Sequence, residues 1–193
     1  MTSTLPAFDK VEVAAVSTLY DAERADQQVH MTVALAVIAG GVTYLGVVAG
    51  QFHQLKHSDF WAVLLPFPLW MIAAFHVLLM AAIVTRNKSI MLLEARLYAA
   101  TRLAAFEIPA DAIGRARLRK VTDFVPQRWP LKIQSLITYG GIGLTLVSFT
   151  CFCLWNAHIV QGWTFMVVAA IPFYLVLSGC LLAAWYTVLT QRV

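Results

Sequence analysis

The chain has 193 residues, of which 60% are apolar (Ala, Val, Ile, Leu, Met, Phe, Trp, Tyr, Cys) and 12% are charged, against roughly 45–50% and about 25% in soluble domains. That balance excludes an ordinary soluble fold, and the wealth of Leu, Val and aromatic residues, without a Gly-X-Y or heptad repeat, excludes a disordered or fibrous chain. The formal net charge of +4, from 14 basic and 10 acidic residues, is unevenly spread along the chain.

A charge at mid-bilayer costs several kcal/mol, so Asp, Glu, Lys and Arg fence off candidate spans. Between Asp26 and Lys56 lie 29 uncharged positions, between Asp59 and Arg86 lie 26, and between Lys132 and Arg192 lie 59. At about 1.5 Å per residue the last gap is roughly three hydrocarbon thicknesses long, so it must fold back. The expected fold class is all-α and integral to the membrane: four transmembrane helices, at about 31–50, 60–84, 134–155 and 163–189, forming two hairpins. Helical cytoplasmic extensions are expected before the first span and after the second.

Residues 1–30 are expected to be a cytoplasmic N-terminal helix. The first apolar run begins only near residue 31, behind an acidic, helix-prone segment, which is not the pattern of a cleaved basic leader. Residues 10–28 lack Gly and Pro, and with Asp9 they carry Asp9, Glu12, Asp21, Glu23 and Asp26 against Lys10 and Arg24.

The first hairpin is expected over 31–85. Gly40-Gly41 and the Gly46-x-x-x-Gly50 pair in its first span allow close backbone approach, either within the bundle or between copies. The outer loop brings His53 and His57 four residues apart, with Asp59 close by and His158 arriving in the other outer loop. Such a set suits a metal or an axial haem ligand, although Lys56 between the two histidines opposes a cation. In the second span, Pro66 and Pro68 predict a kink. His76 lies deep among apolar residues, where an ionisable ring must face the bundle. It serves either as packing glue, bonded to Thr145, Ser148, Ser178 or Tyr174 of a neighbouring helix, or as a proton, ion or cofactor site.

Residues 86–132 hold ten of the fourteen Lys/Arg residues and are expected to form a basic cytoplasmic helical loop under the positive-inside rule, leaving both termini inside. Residues 86–106 continue the second span as a helix stopped by Pro109. Ile90, Leu93, Leu97, Ala100 and Ala104 form an apolar stripe that needs a partner, for which the acidic segment 10–28 is the candidate, within one protomer or between protomers. The alternative is a pair of surface helices lying on anionic lipid. A second helix starts near Asp111 and carries Arg115, Arg117, Arg119 and Lys120. This patch is expected to face the anionic cytoplasmic leaflet and not nucleic acid.

The second hairpin is expected over 133–193. Gly140, Gly141 and Gly143 open its first helix as small packing residues, and Cys151, Cys153 and Cys180 are expected to be small core residues, since i and i+2 thiols diverge too far to chelate or crosslink. The polar run Asn156–Gly162 between Trp155 and Trp163 is the expected fold-back. Pro172 predicts a kink in the last span.

No phosphate-binding loop, metalloprotease helix, nucleophile elbow or membrane-edge acidic cluster occurs. The expected function is therefore non-enzymatic: a polytopic protein that assembles through its helices as an oligomeric pore or effector, or as an accessory subunit of a larger membrane complex. Two alternatives stand beside it, a haem- or metal-binding redox subunit using the histidines, and a proton or ion channel gated by His76. No cofactor is fixed by the sequence. A leaderless polytopic chain rich in Ala, Val and Arg fits a bacterial inner membrane.

Overall fold

A computed structural model describes residues 10–55, 59–101, 109–110, 114 and 129–190. It is all-helical, with no strand among the described residues. The helices are α1 (Lys10–Leu55), α2 (Asp59–Leu64), α3 (Phe67–Thr101), α4 (Trp129–Gln161) and α5 (Phe165–Thr190). Four segments, Lys10–Phe52, Trp61–Thr101, Trp129–Gln161 and Phe165–Val188, are long and apolar enough to cross a bilayer. The chain is a multi-pass membrane protein.

Two compact units share these helices. The first comprises residues 1–31 and 82–131, the second 32–81 and 132–192. The expected boundary between an N-terminal helix and the first span does not exist as a break, because α1 runs unbroken through residues 28–31. No Gly or Pro interrupts that stretch, so the acidic segment extends the span's own helix, and it is not a separate surface helix.

In the first unit, the start of α1 and the end of α3 lie antiparallel. Val13, Val16, Tyr20, Glu23 and Gln27 recur at three- and four-residue steps and are buried or half-buried, which is the helical period of one face. Val13 and Val16 line a small cavity with Leu97 and Ala100. Ile90 of the apolar stripe is fully buried, and Leu93, Leu97 and Ala100 are half-buried. Ala104 and the second loop helix lie outside the described residues.

In the second unit, the core gathers around the junction of α2 and α3. Ala62, Val63, Leu69 and Trp70 pack with Leu146 and Ala157 of α4 and with Val167, Ala170 and Tyr174 of α5, while Val48 of α1 joins Leu65 and Cys153. The junction interrupts the helix for two residues. Helix α2 ends at Leu64 and α3 starts at Phe67, the Pro66 carbonyl accepting from the Leu69 and Trp70 amides at 3.1 and 3.2 Å. Pro68 then occupies the first turn of α3, where a missing N–H costs nothing.

The fold-back in the second half is shorter than the sequence suggests. Asn156–Gln161 stays helical, and the chain turns over Gly162–Thr164. None of Asn156–Gln161 forbids helical backbone, whereas Gly162 takes φ 72° and its amide closes on the His158 carbonyl at 2.8 Å, ending α4 with a left-handed cap. Pro172 does not divide α5. Of the cysteines, Cys153 is fully buried while Cys151 and Cys180 are exposed. Cys151 leaves the core for the reason that also rules out chelation, since neighbours two apart on a helix point to opposite sides.

Candidate functional site

The break between α2 and α3 frees backbone carbonyls inside an apolar bundle, where each unpaired group costs several kcal/mol. Two phenols from neighbouring helices meet that demand. Tyr44 of α1 donates to the Leu65 carbonyl at 2.7 Å, and Tyr174 of α5 donates to the Val63 carbonyl at 2.8 Å. One turn on, the Trp70 indole N–H donates to Thr150 Oγ1 of α4 at 3.1 Å, and the Thr150 hydroxyl donates to the Leu146 carbonyl at 2.8 Å. Helices α1, α4 and α5 thus each supply one polar anchor to the same broken element.

His76 stands in a different environment. It projects from α3 with 7% of its surface exposed, and neither ring nitrogen has a hydrogen-bond partner among the described residues. The four expected partners are occupied or turned away. Tyr174 serves Val63, the Ser178 hydroxyl donates to the Tyr174 carbonyl at 2.7 Å, and Thr145 and Ser148 lie on exposed faces of α4. The contact His76 does make is aromatic. Its ring centre lies 6.4 Å from Trp185 of α5, which in turn lies 4.9 Å from Tyr139 of α4. Three helices thus meet at one cluster of tilted rings. Buried polar atoms left unpaired cost about 1–3 kcal/mol each. Of the four buried polar residues among those described, Gln27, His76, Asn87 and Thr150, the other three are paired.

No protein family, curated protein or solved structure matches this chain. Its chemistry therefore rests on the residues alone.

The histidines expected in the outer loops are only partly placed. His158 is half-buried between Trp163, 4.1 Å away, and Trp155, 6.0 Å away, with Nδ1 unpartnered, and Thr164 Oγ1 in the same turn is also buried without a partner. The backbone of His53 belongs to α1, but its side chain, like all of His57, lies outside the described residues. Among the described residues no three His, Cys, Asp or Glu side chains gather to hold a metal.

Of the seven glycines expected to let helices approach closely, one meets a neighbouring helix among the described residues. A Cβ on Gly41 would meet Ile72 at 3.5 Å and Leu69 at 3.9 Å, so α1 and α3 pack there. At Gly40, Gly46, Gly50, Gly140, Gly141 and Gly143 a Cβ would meet nothing within 4 Å. The reason is plain for α4, where every residue from Leu136 to Thr145 is exposed. The basic patch Arg115, Arg117, Arg119 and Lys120 lies outside the described residues.

The first unit carries its own polar network. Gln27 Nε2 donates to Asn87 Oδ1 at 2.6 Å, with both residues buried. Arg86 Nη1 reaches Asp26 at 2.7 Å and Glu23 at 3.2 Å. The Tyr20 hydroxyl donates to Glu94 at 3.2 Å and accepts from Arg24 Nε at 3.1 Å. Gly114 holds φ 61°, and a Cβ there would meet the Glu94 carboxylate at 2.6 Å. Sequence reading named the two segments but missed Gln27, Asn87 and Tyr20 as their link. The signal for the first two was an amide beside a run of apolar positions on each helix.

Proposed function

We propose that this chain is a non-enzymatic membrane protein that acts as a homo-oligomeric pore or effector, its copies joined through the glycine-bearing half of α4. The observation that carries this reading is the stretch Leu136–Thr145, ten residues exposed on every side, with open space at Gly140, Gly141 and Gly143. Lipid can cover an apolar face, but glycines leave bare backbone that another helix covers better through close packing. A stretch that meets its own chain through Tyr139 and Trp185 but leaves its glycines bare over nearly three turns is therefore matched to a second copy.

The four spans are read as two hairpins, with residues 1–30, the basic loop 86–132 and the C-terminus in the cytoplasm of a bacterial inner membrane. Aromatic spacing supports the bilayer's position. Trp155, Trp163 and Phe165 are exposed at one end of α4 and α5, and Tyr139 and Tyr186 at the other. Phe165 and Tyr186 are separated by about 32 Å of helix, close to the roughly 30 Å of a hydrocarbon core.

Native mass spectrometry of the detergent-purified chain tests the assembly. The expected result is a defined homo-oligomer that the pair Gly140→Leu and Gly143→Leu converts to monomer without loss of helix content. A wild-type monomer would overturn the reading in favour of an accessory subunit whose complex contains other chains.

A further inference from the structure

We infer that His76 is a proton-binding site within each protomer, closed on one side by the Trp185 indole. This goes beyond assembly and does not rest on it, because every group involved belongs to one chain.

A histidine kept only for shape would be replaced at no loss by an apolar ring, and one kept as packing glue would have a hydroxyl or carbonyl against it. His76 meets neither description. It is more than nine-tenths buried, both nitrogens are unpartnered, and the hydroxyls of Tyr174 and Ser178 are committed to backbone carbonyls. A neutral imidazole has one N–H donor and one lone pair. The free lone pair accepts one proton, giving an imidazolium with two N–H donors, and no other bond forms or breaks.

The groups that face His76 suit this role. Helix α5 contributes Trp185, whose ring centre lies 6.4 Å from that of His76 with the two ring planes inclined at 45°. Helix α4 contributes Tyr139 behind it, whose phenol is the titratable group of the cluster. No Asp, Glu, Lys or Arg occurs in α1 between Asp26 and Lys56, in α3 before Arg86, or in α4 and α5 between Lys132 and Arg192. Without a carboxylate, the bound proton is not held by an ion pair, and burial then favours release over retention. Imidazole is the side chain whose charge changes in the physiological pH range.

Tryptophan emission of the purified full-length protein, recorded from acid to alkaline pH, tests the site. An imidazolium in contact with an indole lowers its emission, so the Trp185 contribution, taken as wild type minus Trp185→Phe, is expected to fall along a single-proton curve as pH drops. His76→Phe, which keeps the ring volume and removes both nitrogens, is expected to abolish that curve. His158 beside Trp155 and Trp163 is unchanged in every variant and cancels in the differences. Identical pH responses in wild type and Trp185→Phe, or a curve that survives His76→Phe, would overturn the assignment. Should Trp185→Phe lose its helix content, wild type minus His76→Phe reads the same signal.

Discussion

Removing the Tyr174 hydroxyl is the sharpest test of how the broken helix is held. Tyr174→Phe leaves the ring in place against Trp70, 6.3 Å between centres, and deletes only the donor to Val63, a 2.8 Å bond made by a side chain 4% exposed. The Val63 carbonyl then faces an apolar core without that donor. An unsatisfied buried acceptor costs about 1–3 kcal/mol, and the upper half of that range applies where water cannot enter, so about 2 kcal/mol is expected. That is roughly a 30-fold change in the unfolding equilibrium, since each 1.4 kcal/mol is a factor of ten. The assay is reversible unfolding in mixed micelles, followed by far-UV circular dichroism. Tyr44→Phe removes the 2.7 Å bond to Leu65 and should cost a similar amount. The double variant should cost less than the two together, because once the first phenol is lost the break can relax around the second. Thr43→Val is the control: its hydroxyl donates to the Ala39 carbonyl of its own helix from an exposed position, so the change should stay within about 0.5 kcal/mol. A Tyr174→Phe protein as stable as this control would refute the claim that phenols satisfy the break.

Three further outcomes follow from the same structure. Gln27→Leu or Asn87→Leu alone should destabilise by about 1–3 kcal/mol, each leaving a buried amide stranded, whereas the double change should recover much of that loss; a double-mutant cycle in the same unfolding assay reads the difference. Arg86→Ala breaks contacts to Glu23 and Asp26, but the three side chains are 29%, 30% and 60% exposed, so solvent screening should hold the loss below about 1 kcal/mol and added salt should shrink it further. Gly41→Leu drives a side chain into Ile72 and Leu69 and should cost about 1–3 kcal/mol of protomer stability, measured by unfolding, while leaving the oligomer mass of the folded fraction unchanged.

What the sequence disclosed depended on whether a property belongs to a segment or to a pair. Span number follows from where charge is absent, so Asp26, Lys56, Asp59, Arg86, Lys132 and Arg192 delimit the apolar helices without reference to any neighbour. Pro66 and Pro68 announced the break by lacking an N–H. Helix ends were harder: residues 28–31 and 156–161 include polar side chains (Gln28, His30, Asn156, His158, Gln161) but carry no backbone prohibition, and α1 and α4 run through them. Pairing was harder still. That Tyr44 and Tyr174 would find the carbonyls at Leu65 and Val63, or that Trp185 would come to His76, depends on the rotation of one helix against another, which a single apolar span with hydrophobic residues all round does not encode.

The glycines and His76 show that limit from opposite sides. The glycines were expected to pack helices within the bundle or between copies, and His76 to serve as glue or as a proton, ion or cofactor site; of the glycines, Gly41 meets another helix of its own chain. In water an idle glycine or an unpaired nitrogen is hydrated and carries no information. In an apolar medium neither is neutral, because bare backbone invites a closer neighbour and an orphaned nitrogen retains its whole desolvation cost. Thr150, Gln27 and Asn87 demonstrate that this chain satisfies buried polar groups when stability is what they serve. The ring of His76, like His158 Nδ1 and Thr164 Oγ1 at the α4–α5 turn, departs from that pattern among the described residues, and a group that gains a donor by taking a proton is what the rings of Trp185 and Tyr139 accommodate.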